Sequence, residues 1–166
     1  PAALGAVRSA VEACDRVPDV VVLHSLAGGT GSGLGSALLE EARGAFPELF
    51  LVSCAVAPRQ EGETPLQCVN MVLTAQFLQS LADAVLLFHN GRLLKALQGR
   101  AGDAAGGTSS AAQRAAAAVG VADVNASVAT SVAGLLLPSE GGPCVGARDV
   151  VQQVCPHPAN KWAEAS

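Results

Sequence analysis

Between His24 and Ser36 the chain reads HSLAGGTGSGLGS, with Gly28, Gly29, Gly31 and Gly33 alternating with the hydroxyls of Thr30 and Ser32. Glycine inside a helix or strand costs roughly 0.5 to 1 kcal/mol relative to alanine, so such a cluster marks a place where the backbone itself has work. A Walker-type loop needs G-x-x-x-x-G-K-[ST], and no lysine lies between Gly28 and Ser36. A dinucleotide fingerprint needs G-x-G-x-x-G/A and a carboxylate ending the next strand; here GSGLGS ends in Ser36 and the next apolar run ends in CAVA. What remains is a wider anion cradle of glycine amides with Thr30 and Ser32 as hydroxyl donors, or glycines that let a helix pack close on a sheet. In a cradle without a lysine the amides carry the binding, and a bulky side chain at Gly31 is expected to block it.

Other polar residues say less by themselves. Asn90 and Asn125 read as helix caps or turn residues, Gln67 as a solvated loop residue, and Asp149 as a carboxylate near a helix start, favoured there by the helix dipole. His24, His89 and His157 are scattered and read as structural or exposed. Cys14, Cys54, Cys68, Cys144 and Cys155 form an odd set without C-x-x-C, the pattern of free thiols rather than of a zinc site or a disulfide framework. No His/Asp/Cys constellation near the loop supports a small metabolic enzyme.

The elements that must position these residues alternate. DVVVLHSL (19–26), LFLVSCAV (49–56) and AVLLFHN (84–90) are short apolar runs of the kind buried on both faces of a parallel sheet. Between them, Leu34, Leu38, Ala42 and Ala45 form one helical stripe, and Val69, Leu73, Gln76 or Phe77, and Leu81 another. This is a β-α-β-α-β unit, an α/β Rossmann-like parallel sheet with flanking helices. The Ala/Gly/Ser-rich stretch at about 99–118 reads as a low-complexity insertion, poorly ordered to about Ser110 or drifting into weak helix. A helix follows from Asp123, with Val124, Val128, Val132 and Leu135 or Leu136 on one face and Pro138 as its stop. A last one carries Val150, Val151 and Val154 and ends at Pro156.

The 166 residues, half of them hydrophobic, suffice for one domain with a core. A net charge of −4 argues against a nucleic-acid partner. No apolar run approaches the roughly 20 residues that span a bilayer, so a soluble, intracellular protein without a membrane partner is expected. Starting at Pro1 without a methionine, the chain reads as a piece of something longer.

At this point the residues carry a resemblance. HSLAGGTGSGLGS is similar to the signature loop of the tubulin superfamily, which wraps the phosphates of GTP, with Ala27 in place of the first glycine. TPLQCVNMVLTAQFL resembles the family's ribose loop and helix, ADAVLLFHNGRLL its guanine strand, VADVNASV the start of its central helix, and RDVVQQVCPHPANKW the helix and Pro-x-Pro turn opening the intermediate domain. Gln67, a shortened loop between Pro58 and Asn70, a shortened central-helix region between Asn125 and Pro138, and PHP at 156–158 look most like delta-tubulin, with gamma-tubulin the nearest rival. The resemblance implies a partial tubulin/FtsZ-type GTPase domain over 1–138, central helix included, and the start of the intermediate domain over 139–166.

It also implies roles. Ala27, Gly28, Gly29, Thr30, Gly31, Ser32 and Gly33 would hold the phosphates of GTP or GDP, Gln67 the ribose, and Asn90 and Asn125 the guanine edge; Mg2+ would accompany the nucleotide, with no ligand for it identified here. Asp149 falls where the family places a carboxylate that orients water on the nucleotide of the next subunit. Val121 stands where the family has an aromatic stacked on guanine, which removes a stacking contact. The expected partners are other tubulin subunits and microtubule or centriole components. The expected place is the cytoplasmic cytoskeleton, at centrioles or basal bodies.

Overall fold

The computed structural model describes residues 2–59, 65–106, 110–137, 146–155, 157 and 159–165. Pro138, Cys144, Pro156 and Pro158 lie outside them. The order is α1 (Ala2–Glu12), β1 (Asp19–Ser25), a π turn (Thr30–Leu34), α2 (Gly35–Ala45), β2 (Phe50–Ala57), α3 (Leu66–Leu81), β3 (Ala84–His89), α4 (Asn90–Ala104), α5 (Ser110–Ala118), α6 (Val121–Leu136), α7 (Ala147–Val154) and β4 (Trp162–Ala165). The strands form one parallel sheet in the order β1-β2-β3-β4. Its register sets Ser25 against Val56 and Ala57 against His89, so β1, β2 and β3 end at one rim.

Alternation along β2 divides the core. Leu51, Ala55 and Ala57 pack with Leu39 of α2 and Leu78 of α3, with Val11 of α1 at the margin. On the other face Cys54 and Phe88 pack with Leu93 of α4 and with Val124 and Val128 of α6, and Val52 packs with Ala147 and Val151 of α7. The result is a sheet between two helical layers, the arrangement that β-α-β alternation dictates.

At the rim where the strands begin, the Arg43 guanidinium donates to the carbonyls of Leu81, Pro47 and Leu49 and to Asp83 Oδ2, which also accepts the Leu51 N–H. One side chain thus satisfies the last turn of α3 and the approach to β2. β4 is fastened by Arg92 to Glu164, by Lys161 to the Ala82 carbonyl and by Trp162 to Gln79.

Several expectations change. β1 is an edge strand among the described residues, so Leu23 is 58% exposed rather than buried on both faces. On α3 the stripe Val69, Leu73 and Phe77 faces outward, while Thr74 and Leu78 face the sheet. The helix is apolar nearly all round, and periodicity alone does not choose its buried side. The Ala-rich stretch forms the end of α4 to Ala104, a turn at Ala105 and Gly106, where Gly106 takes φ 96°, and α5 from Ser110, with 107–109 outside the described residues. Alanine is the strongest helix former, and Ala112 is buried. Asn90 opens α4 instead of closing β3. The described parts of 139–166 pack on this same sheet, α7 through Val151 and β4 through its pairing with β3.

Among the described residues no single helix is long and apolar enough to cross a membrane; α5 and α6 together reach that length but meet at 68°.

Candidate functional site

At the rim where the strands end, the chain leaves β1 at Ser25 and enters the π turn, which runs without a break into α2. Gly29, Leu34 and Gly35 all take right-handed helical backbone angles, with φ of −55°, −68° and −61°. The glycine stretch is the first turn of a long helix rather than an open loop. None of its glycines needs a left-handed backbone, the one positive φ among the described residues being at Gly106.

Their use is close approach, and it divides them in two. A Cβ on Gly31 would lie 2.5 Å from the Ser25 carbonyl oxygen and 2.9 Å from its nitrogen, and one on Gly35 would lie 3.0 Å from His24 Nδ1. Those two glycines press the helix onto β1. A Cβ on Gly28, Gly29 or Gly33 would meet nothing within 4 Å, so internal packing does not call for glycine there. Close packing therefore accounts for the glycines at 31 and 35 and not for those at 28, 29 and 33.

The turn is closed by its own polar groups. The Ser32 N–H and hydroxyl both donate to the Gly28 carbonyl, at 2.9 and 2.8 Å, and Ser32 is buried. Its side chain is therefore engaged inside the turn, whereas Thr30 is exposed. The amides of Gly29, Thr30 and Gly31 belong to the opening turn of a helix, where N–H groups lack intrahelical partners and the dipole favours an anion. Beneath the turn, the His24 ring joins the Gly31 carbonyl through Nδ1 at 3.0 Å and Ser53 Oγ through Nε2 at 2.9 Å. Burial lowers the pKa of this ring below its ordinary value, partly offset by its bonds to Gly31 and Ser25. The half-buried Ala27 anchors the entry, its carbonyl accepting from Asn70 Nδ2 of α3 at 3.0 Å.

The other predicted residues divide by position. Gln67, in the first turn of α3, is half-buried, and its buried Oε1 has no hydrogen-bond partner among the described residues. Asn90 is the first residue of α4, directly after β3, and is half-buried. Both therefore open helices that follow strands ending at the rim of the π turn. Asn125 is exposed on α6, beside the buried Val124 that packs with Leu93 of α4. Val121, opening α6, is 56% exposed.

Asp149 lies elsewhere. It is exposed, and its Oδ2 accepts the Gly146 N–H at 3.2 Å, capping α7. The neighbouring Arg148 binds Asp19, the first residue of β1, so α7 begins at the rim where the strands start.

Sequence reasoning missed His24, Ser53 and Asn70. The partners of His24 stand 7 and 29 residues away, and only its place one residue before the end of a strand could have hinted at them.

The residues present fit a bound polyphosphate: three glycines leave open space around the opening turn of a helix, and Gln67 holds a buried oxygen with no partner among the described residues, beside a neighbouring junction. The model of the Tubulin/FtsZ family, GTPase domain, matches residues 2–98. The chain is 39% identical over 84 residues to a tubulin gamma chain of Candida glabrata, covering 51% of this chain and 18% of that one. It is 37% identical over 86 residues to a tubulin epsilon chain of Mus musculus, 52% and 18% respectively. Against a tubulin beta chain of Porphyra purpurea it is 36% identical over 91 residues, 54% and 20%. The matched segment thus spans about a fifth of each relative.

Proposed function

The chain belongs to the Tubulin/FtsZ family, whose GTPase-domain model covers residues 2–98, and on that premise we propose that it is a delta-like tubulin that binds GTP and GDP at the rim beyond Ser25. It works with other tubulin subunits in the cytoplasmic cytoskeleton, in the organisation of microtubules and of centrioles or basal bodies. In this reading residues 1–138 make up its partial GTPase domain and 139–166 begin the intermediate one, whose described parts, α7 and β4, lie against the same sheet.

The observation that supports this best is the pair of glycine classes: Gly31 and Gly35 seat the π turn on β1, while Gly28, Gly29 and Gly33 leave open the approach that phosphate oxygens need. In this reading Ala27 to Gly33 surround the phosphates, with the amides of Gly29, Thr30 and Gly31 donating to them and Thr30 adding a hydroxyl, while Ser32, held by the Gly28 carbonyl, shapes the turn. Gln67 offers its unpartnered Oε1 to a ribose hydroxyl. Asn90 and Asn125 supply the mixed donor and acceptor amides that suit the N1–H, N2 and O6 edge of guanine. The nucleotide, when bound, supplies a γ-phosphate to be hydrolysed; Mg2+ accompanies it, and no residue is assigned as its ligand. Asp149 acts on a neighbouring subunit's nucleotide, where a carboxylate can orient water.

Calorimetric titration of the full-length protein with GTP, GDP and ATP tests the reading. Binding of both guanine nucleotides and rejection of ATP is expected; equal affinity for GTP and ATP overturns the asparagine assignment, and no binding at all overturns the site.

A second reading is favoured by Val121, whose exposed aliphatic side chain stacks poorly on a base. It is a tubulin-like scaffold with weak or no turnover, which a nucleotide-retention assay distinguishes. A gamma-like role in microtubule nucleation is the alternative within the family, supported by the likeness to gamma chains.

A further inference from the structure

We propose that His24 is the positioning residue of the glycine cradle, a buried ring whose two nitrogens tie the π turn to β2 and hold the turn in the shape in which its amides receive phosphate. This rests on the guanine-nucleotide reading above and names what preorganises that site.

The direction of each hydrogen bond follows from its partner. A carbonyl oxygen only accepts, so the Nδ1 that meets the Gly31 oxygen at 3.0 Å carries the proton. Burial keeps the ring neutral, so Nε2 is an acceptor and the Ser53 hydroxyl, at 2.9 Å, donates to it. The tautomer is fixed by β2 and transmitted to the π turn. Room for the ring exists because residue 35 is glycine, whose Cβ would stand 3.0 Å from Nδ1 and 3.2 Å from Cγ. The Gly31 peptide is thus fixed between the imidazole and the Ser25 backbone.

Neither ring nitrogen is left over for a ligand, so His24 acts through the turn. Amides that are already aimed bind an anion without reorganising, and a turn freed of its clamp must be ordered again at each binding event. The structural role is local: the ring spans three elements at the site and lies outside the two main apolar clusters.

The experiment compares wild type, His24→Phe and His24→Asn in the full-length protein. Phenylalanine keeps a ring and loses both hydrogen bonds; asparagine keeps an N–H at about the position of Nδ1 and loses the link to Ser53. GDP and GTP affinities are measured by calorimetry, and amide hydrogen exchange over residues 28–35 is followed without nucleotide. His24→Phe is expected to bind both nucleotides about 10-fold more weakly, the size of one lost hydrogen bond, with faster exchange across the turn. His24→Asn is expected to recover to within about 3-fold of wild type on the same scale. Ser53→Ala weakens binding in the wild-type background and has no effect alongside His24→Asn, a comparison that stands even if the phenylalanine variant does not fold. Wild-type affinity and exchange in His24→Phe, or equal effects of Ser53→Ala in both backgrounds, would overturn the proposal. Failure of wild type to bind either nucleotide would overturn the functional reading and the cradle role with it, while unchanged exchange in His24→Phe would overturn the clamp alone.

Discussion

The carboxylate of Asp19 accepts the Arg148 backbone N–H at 3.2 Å and faces its guanidinium at 3.5 Å, which fixes the first turn of α7 at the beginning of β1. Arg148 also lies over the Phe50 ring, 5.0 Å from its centroid, at the beginning of β2. Seven residues of β1 then separate this end from the glycine turn, roughly 20 Å at 3.3 Å per residue. Asp149 and Gly31 therefore occupy opposite rims of the sheet.

That separation makes the Asp149 proposal sharp. Asp149→Asn keeps an acceptor for the Gly146 N–H and removes the charge, so α7 stays capped. GTP affinity is expected to be unchanged, and turnover per assembled subunit to fall by about 100-fold, the scale of a lost general base. Equal turnover in mutant and wild-type assemblies returns Asp149 to a capping role only.

The two classes of glycine behave differently on substitution. Gly33→Ala places its Cβ in open space on a helical backbone, so stability should hold or rise by up to about 1 kcal/mol, while GTP affinity falls by about 10-fold or more. Gly31→Ala meets the Ser25 backbone and should lower stability by about 1 to 3 kcal/mol as overpacking does. The expectation that a side chain at Gly31 blocks the ligand is thereby revised: it displaces the turn first. Thermal melts with paired titrations separate these outcomes, and a Gly33→Ala variant that binds like wild type contradicts the cradle.

Arg43→Ala should destabilise the protein by about 2 kcal/mol, because several carbonyls lose a charged donor, discounted for a guanidinium that is a quarter exposed. Arg43→Lys should recover little of it, since an ammonium cannot reach the carbonyls of Pro47, Leu49 and Leu81 as one planar fork. Urea melts of the two variants decide this.

Acid should weaken the fold through His24. Its folded pKa lies below the ordinary 6.5, so the ring's contribution is complete above 6.5. As pH falls below that value the unfolded chain takes up a proton that the folded one does not, and stability declines until the folded pKa is passed. The ring's neighbours Gly31, Gly35 and Ser53 carry no charge to offset this. Melting temperatures measured between about pH 7.5 and 5 should show a slope that His24→Asn reduces.

Much of the frame was legible because β2 and β3 are short continuous apolar runs with one meaning in a β-α-β chain. The strand read at 49–56 lies at Phe50–Ala57. α1 and β4 were not foreseen: β4 is four residues long and held by Arg92, Lys161 and Trp162, contacts that no local pattern encodes. The outward stripe of α3 was misassigned because both of its faces are apolar. At the site, the glycines advertised a close approach, but which of them serve the protein and which a ligand depends on Ser25 and His24, and so on tertiary placement.

Trp162 is the chain's one tryptophan, and tyrosine is absent. It lies on β4, its indole N–H donating to Gln79 of α3. Intrinsic emission therefore reports on the last strand of the sheet, across two intervening strands from β1 and the turn that follows it. A fluorescence-detected transition reads the undocking of β4, and agreement with a circular-dichroism melt would mean that this edge and the helical layers come apart together. The glycine turn carries no native chromophore, so a tryptophan placed near it gives the optical signal that the natural sequence lacks there.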